Sequence, residues 1–193
     1  MATCFLCGTP MALRFRVRDH LRPHVLTEYR IEWCAGCDFG RVAGKFTPSE
    51  VSSFYTSDYY THAAPGESGK AAAQFLDRIR VHLAWRTDRG VDLSPAEVES
   101  ARPIPTLCDV GCGGGQAMTL FKQAGYDAVG IEPDPAARAL AKQAGEVFEG
   151  TAEALSGAIE GREFDVVLLS HVLEHCIDPT AALRNVKRLL ASQ

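Results

Sequence analysis

Four cysteines come in two pairs, Cys4-x-x-Cys7 followed by Gly8, and Cys34-x-x-Cys37, with twenty-six residues between the pairs. Two such knuckles can supply four thiolates to one tetrahedral zinc, and the residues between them then form a ribbon of strands. A fragment of about 50 residues struggles to build a sufficient core, so a structural Zn2+ on Cys4, Cys7, Cys34 and Cys37 is the expected source of its stability. Four thiolates leave no open coordination position, so no catalysis is expected there. A redox pair or unliganded thiols are the alternatives.

The second constellation is Leu107-Cys108-Asp109-Val110-Gly111-Cys112-Gly113-Gly114-Gly115. A short apolar strand ends in an acid, and glycines that tolerate unusual torsions follow it, leading into a helix. Such a turn lets the backbone approach a ligand closely. A dinucleotide fingerprint needs Gly-x-Gly-x-x-Gly, and Gln116 stands where its last glycine belongs. The run is Asp-x-Gly-x-Gly-x-Gly instead. A second acid, Glu132 in Val129-Gly130-Ile131-Glu132-Pro133-Asp134, falls at the tip of the next strand, where an acceptor-only carboxylate can take both ribose hydroxyls. Read alone, the glycine turn also admits NAD, and Glu132 alone is an ordinary surface acid. Cys108 and Cys112 read as small buried fillers.

A third group is His171-Val172-Leu173-Glu174-His175. It matches the inverted zinc-protease pattern, in which two histidines four apart on a helix share a metal. The context argues against that reading. An apolar strand, Val166 to Leu169, precedes the pair directly, and Asp178-Pro179 follows, leaving no room for a long helix. Either histidine could serve as a general base near neutral pH; for His175 a structural hydrogen bond is the competing role.

The elements that must position these groups follow from pattern. Residues 1–47 alternate as short strands, for example Ala12-Leu13-Arg14-Phe15-Arg16-Val17-Arg18. Residues 48–105 read as a connector: a short helix from Pro48, an aromatic stretch, an amphipathic helix over 69–89 with Phe75, Ile79 and Leu83 on its buried side, and a proline-containing linker. From Thr106 strands alternate with helices, the pattern of a parallel sheet covered on both faces. Strands are expected near 106–110, 127–132, 146–148 and 164–169, and helices near 115–125, 134–144, 151–159 and 179–191. Asp134 or Pro135 opens one helix, and Asp178-Pro179 supplies an N-cap and first-turn proline to another.

Four segments in this order resemble class I S-adenosylmethionine-dependent methyltransferases: the glycine run, the Glu132 tip, Gly150-Thr151-Ala152-Glu153-Ala154, and Phe164 through His175. The two cysteine pairs followed by Pro48, Phe54-Tyr55 and Asp58-Tyr59-Tyr60 resemble members with an N-terminal zinc-binding domain, some of which methylate deoxysugar carbons. The resemblance implies an α/β Rossmann-like fold with a partial parallel sheet of order 3-2-1-4 over residues 106–193, preceded by a zinc ribbon. It implies S-adenosylmethionine as cofactor, held around Asp109, Gly111, Cys112, Gly113, Gly115, Glu132, Pro133, Ala152, Glu153, Ser170 and His171, with His171 or His175 as catalytic base. Thr151 stands where many relatives carry an acid. Some related O-methyltransferases hold a divalent metal with Glu-x-x-Glu-His at the fourth segment; His171 replaces the first of those acids here.

The resemblance also implies a seven-strand sheet, of which four strands are legible before Gln193. Strand four is then an apolar edge, and the expectation is either a fragment of a longer protein with an incomplete domain or an edge covered by another chain or a second copy. The expected acceptor is a small molecule, with a sugar nucleotide favoured by resemblance alone. Two other readings stand beside it: a module that binds cofactor without turnover, and a nucleic-acid methyltransferase reading through its ribbon. A net charge of −4, with seven Lys/Arg against five Asp/Glu in residues 1–50, falls short of the basic stripe that the last requires. Arg14, Arg16, Arg18 and Arg22 form a modest cluster that Asp19, Glu28 and Glu32 dilute. No charged and apolar leader opens the chain, and no apolar run reaches about eighteen residues. The expectation is a cytoplasmic protein with reduced thiols and no membrane partner.

Overall fold

The computed structural model describes residues 2–18, 27–53, 95–98 and 102–192. The expected 69–89 helix, the aromatic residues from Phe54 to Tyr60, and Asp19 and Arg22 lie outside the described residues. Two compact units divide the chain, Met1–Val51 and Ser52–Gln193.

In the first unit three strands form an antiparallel sheet: β1 (Ala12–Arg18), β2 (Glu28–Cys34) and β3 (Phe39–Val42). A bulge between Leu13 and Phe15 shifts the β1–β2 register, and β2 meets β3 from Ile31↔Val42 to Cys34↔Phe39. Among the described residues its buried core is small, Cys4, Met11 and Cys34 with Cys37 and Phe39 against it. Few apolar groups leave water here. Helix α1 (Pro48–Ser53) begins at a reciprocal cap: Thr47 donates its N–H to Glu50 Oε2 at 2.7 Å, and Glu50 donates its N–H to Thr47 Oγ1 at 3.3 Å.

The second unit contains a four-stranded parallel sheet of β4 (Thr106–Val110), β5 (Asp127–Ile131), β6 (Val147–Phe148) and β7 (Val166–Leu168), in the order β6-β5-β4-β7. This is the expected 3-2-1-4 arrangement of an α/β Rossmann-like methyltransferase fold. Residues along β4 turn to alternate faces. Leu107 joins Met118 and Phe121 of α2 (Gln116–Gln123) and Ala141 of α3 (Pro135–Ala141). Cys108 and Val110 join Ile159, Phe164, and Ala182 and Leu189 of α4 (Pro179–Leu189). Both faces are therefore covered, which a parallel sheet requires. Asp134 and Asp178 cap α3 and α4, accepting from Ala137 at 2.7 Å and from Ala181 at 3.0 Å, each with proline at the helix start.

One expected element is absent. Residues 151–159 are not a helix: bends run from Ala152 to Ala154, and only Gly157–Ile159 makes a single 3-10 turn. Thr151 takes the role of a turn closer, its N–H bound to the Ala154 carbonyl at 2.9 Å and its hydroxyl accepting the Ala154 N–H at 3.0 Å. These side-chain bonds offer the backbone an alternative to helix. Among the described residues, no helix is long and apolar enough to cross a membrane.

Candidate functional site

Parallel register places the two acids side by side. Asp109 of β4 lies opposite Gly130 of β5, and Glu132 follows the last residue of β5. The chain after β4 then folds back over β5: the N–H groups of Gly111 and Cys112 both reach the carbonyl of Ile131, at 2.8 and 3.1 Å. Gly111, Gly113 and Gly115 all have positive φ, at 76, 53 and 84. A Cβ on Gly111 would meet Val172 Cγ2 at 2.6 Å and one on Gly115 would meet Ala141 Cα at 3.0 Å, whereas one on Gly113 would meet nothing within 4 Å. The first and third glycines are required by packing. The middle one faces open space, where a ligand can approach the backbone.

Glu132 is buried, 7% exposed, and holds this turn in place. Its Oε2 accepts the N–H of Gly113 at 2.9 Å and its Oε1 the N–H of Asp134 at 2.8 Å. A carboxylate has about four acceptor positions, so about two remain for ligand hydroxyls. Asp109 is buried more deeply, at 3% exposed. Among the described residues no hydrogen bond reaches its carboxylate. Burial, and then the neighbouring Glu132 charge, push it up from 3.8 to about 7. A buried acid without a partner is poised to accept a cation or a donor.

The remaining expected residues are placed as follows. Cys112 turns its thiol inward, so that a Cβ on Gly130 would lie 2.6 Å from its Sγ; with Cys108 it is a filler, and burial raises both thiols to about 12. The Pro133 carbonyl accepts from Arg138 Nη1 at 2.9 Å. Ala152 is buried, and its carbonyl accepts from Asn185 Nδ2 at 2.9 Å. The Glu153 carboxylate accepts the N–H of Asp178 at 2.7 Å, a bond that steadies the start of α4. Ser170 and His171 are exposed after the end of β7, whose Leu168 pairs with Asp109. His175 closes a 3-10 turn, Leu173–His175. Because His171 lies outside that turn, the two histidines do not share one helical face.

Sequence reasoning missed Arg138. Its Nη1 also donates to the Glu132 carbonyl at 2.8 Å, and its Nη2 to Glu149 Oε2 at 3.0 Å, so it ties the tip of β5 to the end of β6. The only signal was an arginine in the helix that follows the acid, which many surface helices carry.

In the ribbon, one ligand atom from each of Cys4, Cys7, Cys34 and Cys37 lies within 4.8 Å of the others. Cys7 Sγ and Cys34 Sγ are 3.6 Å apart. Tetrahedral zinc with bonds near 2.3 Å places its sulfurs about 3.8 Å apart, so the four thiols fit the ion. The Thr9 hydroxyl, followed by its backbone, draws Cys7 down to about 6, while the Cys7 sulfur and then burial push Cys37 up to about 12. Among the described residues this is the one group with the makings of a metal centre.

Residues 108–193 match the family described as the methyltransferase domain. A ubiquinone biosynthesis O-methyltransferase of Cereibacter sphaeroides is 38% identical over 123 residues, covering 60% of this chain and 47% of the relative. One of the same description from Roseobacter denitrificans is 37% identical over 122 residues, covering 60% and 46%. This chain thus spans about half the length of the curated relatives it matches. Among solved structures, a TehB-like SAM-dependent methyltransferase of Corynebacterium glutamicum is 22% identical, with a TM-score of 0.43, covering 63% of this chain and 68% of that one.

Proposed function

Since residues 108–193 match the methyltransferase domain family, we propose that the chain is a class I S-adenosylmethionine-dependent methyltransferase and transfers the methyl group of that cofactor to a hydroxyl of a small molecule. The observation that carries the reading is the pairing of two buried acids at adjacent strand tips, Asp109 and Glu132, under a turn of three positive-φ glycines. Bound there, the cofactor supplies an electrophilic methyl group on a sulfonium.

Everything else is the work of this chain's residues. Asp109 ionises when a cationic ammonium lies beside it, which relieves the cost of its unpartnered burial. Glu132 accepts the two ribose hydroxyls on the lone pairs that Gly113 and Asp134 leave. Gly113 lets the ligand lie against the backbone. The rest of catalysis is alignment of donor and acceptor, with His171 or His175 removing the acceptor proton. The curated relatives are named for O-methylation in ubiquinone biosynthesis, which favours oxygen over carbon or nitrogen; a sugar nucleotide rests on the resemblance of the cysteine and aromatic segments. Structural zinc on the four ribbon thiols completes the reading.

The test is calorimetric titration of the zinc-loaded chain with S-adenosylhomocysteine, with NADH as control. Micromolar binding of the first alone is expected; binding of NADH alone would reverse the assignment. Binding without methyl transfer to any acceptor would instead favour a cofactor-holding module. A second copy pairing along β7, an outer strand of the sheet, would appear as a dimer in light scattering.

A further inference from the structure

His171 has a left-handed backbone, φ +53, a conformation it shares among the described non-glycine residues only with Asp38. Such a residue is strained, and the strain persists only where its surroundings impose it. Here they do. Val172 packs so closely on Gly111 that a Cβ added to the glycine would lie 2.6 Å from Val172 Cγ2. The Val172 carbonyl accepts the N–H of His175 at 3.0 Å and the Sγ–H of Cys176 at 3.4 Å. The turn after β7 is thereby pinned to the first glycine of the loop after β4, and His171 takes the reversal. That reversal sets its Nδ1 3.4 Å from Oε1 of Glu174. Both side chains are more than half exposed, so the pair contributes little to stability. What it supplies is orientation.

We propose that Glu174 is a positioning residue for His171: it holds the imidazole proton on Nδ1 and leaves Nε2 as a proton acceptor, an arrangement suited to a hydroxyl acceptor. The proposal rests on the methyltransferase reading above. Neutral imidazole carries one N–H, and an acceptor-only carboxylate selects the nitrogen next to it. In the transfer, the acceptor oxygen bonds to the methyl carbon and the carbon–sulfur bond breaks with its electron pair on sulfur. The hydroxyl proton passes to Nε2, and Glu174 stabilises the imidazolium that results. A thiol, titrating at about 8.5, already holds some thiolate at neutral pH, whereas a phenol, at about 10, holds far less of its anion, so a built base serves a hydroxyl best.

The test is a long-range nitrogen-15 correlation spectrum of the histidines in the full chain, with S-adenosylhomocysteine added, at a pH where imidazoles are neutral. His171 signals are assigned by their loss in His171→Gln. The Nδ1–H tautomer is expected to dominate at His171. Glu174→Ala should move the balance toward Nε2–H by up to about five-fold, and Glu174→Asp should restore part of it. A dominant Nε2–H form in the parent, or a balance that Glu174→Ala leaves unchanged, would overturn the proposal. Calorimetry on the parent chain keeps the two readings apart. Failure to bind S-adenosylhomocysteine would remove the methyltransferase reading, and with it the base role, while the tautomer still reports the pairing itself.

Discussion

Gly113 donates its N–H to Glu132 Oε2 across nineteen positions of sequence, at 2.9 Å, and so locks the glycine turn after β4 to the tip of β5. The same carboxylate that shapes the turn is the one proposed to receive the ligand. Replacing it therefore tests fold and site together. Glu132→Gln keeps one acceptor oxygen but sets an amide donor against a backbone N–H. A loss of about 1–3 kcal/mol in stability is expected, with at least a roughly ten-fold loss in S-adenosylhomocysteine affinity. Denaturant melts and calorimetry on one preparation measure both.

Asp109 gives the protein a pH signature. Its carboxyl is raised from 3.8 to about 7 in the folded chain, so between those values the folded state holds a proton that the unfolded state has lost. The stability this contributes is complete below about pH 4 and is lost as pH rises through about 7, by roughly 4 kcal/mol at most. Ligand-free Asp109→Asn should lack this slope and be the more stable protein at pH 8. Thermal melts of both proteins from pH 5 to 8 measure the difference, and parallel pH profiles would refute it.

Gly111 is fixed by two independent demands, a φ of +76 and the approach of Val172. Gly111→Ala should cost about 1–3 kcal/mol for the overlap and roughly 1–2 kcal/mol for the torsion. Adding Val172→Ala should recover only the overlap, because a smaller neighbour does nothing for the backbone. A double-mutant cycle separates the two terms; additive losses would mean that the contact is not the constraint.

Metal removal should act on the ribbon. The purified chain is expected to carry about one zinc, and Cys34→Ser, at a fully buried position, should carry none. With so small a core in that unit, chelation should collapse the amide dispersion of Ala12–Arg18 and Glu28–Cys34 in an NMR spectrum. Unchanged spectra after complete chelation would show that the thiols do not depend on an ion.

Much of this architecture could be read from the residues, and the reasons differ by element. The parallel strands were legible because Leu107, Val110, Val129 and Ile131 form short apolar runs bounded by glycine and acid, and the aspartate–proline starts of α3 and α4 are local signals. Residues 151–159 misled because Ala152, Ala154 and Leu155 have helical preference, while the bonds that close the turn depend on one hydroxyl, that of Thr151. The carboxylate of Glu153 is held by the N–H of Asp178, twenty-five positions away, a contact that the local sequence does not signal. Arg138 clamps two strand ends, and the left-handed His171 depends on Val172 meeting Gly111. Contacts of this kind are made between distant segments, and composition and spacing do not encode them.

Phe164, just before β7, donates its N–H to the Leu189 carbonyl at 2.7 Å, and its own carbonyl accepts the N–H of Ala191 at 2.9 Å. The start of a strand and the exit of α4 are thus buckled together, with Leu189 and Phe164 buried in one cluster beneath the buckle. The consequence is cooperativity: α4 cannot fray from its C-terminal end without also exposing the root of β7. The amides of Phe164 and Ala191 should therefore exchange with deuterated solvent in step, through one shared opening.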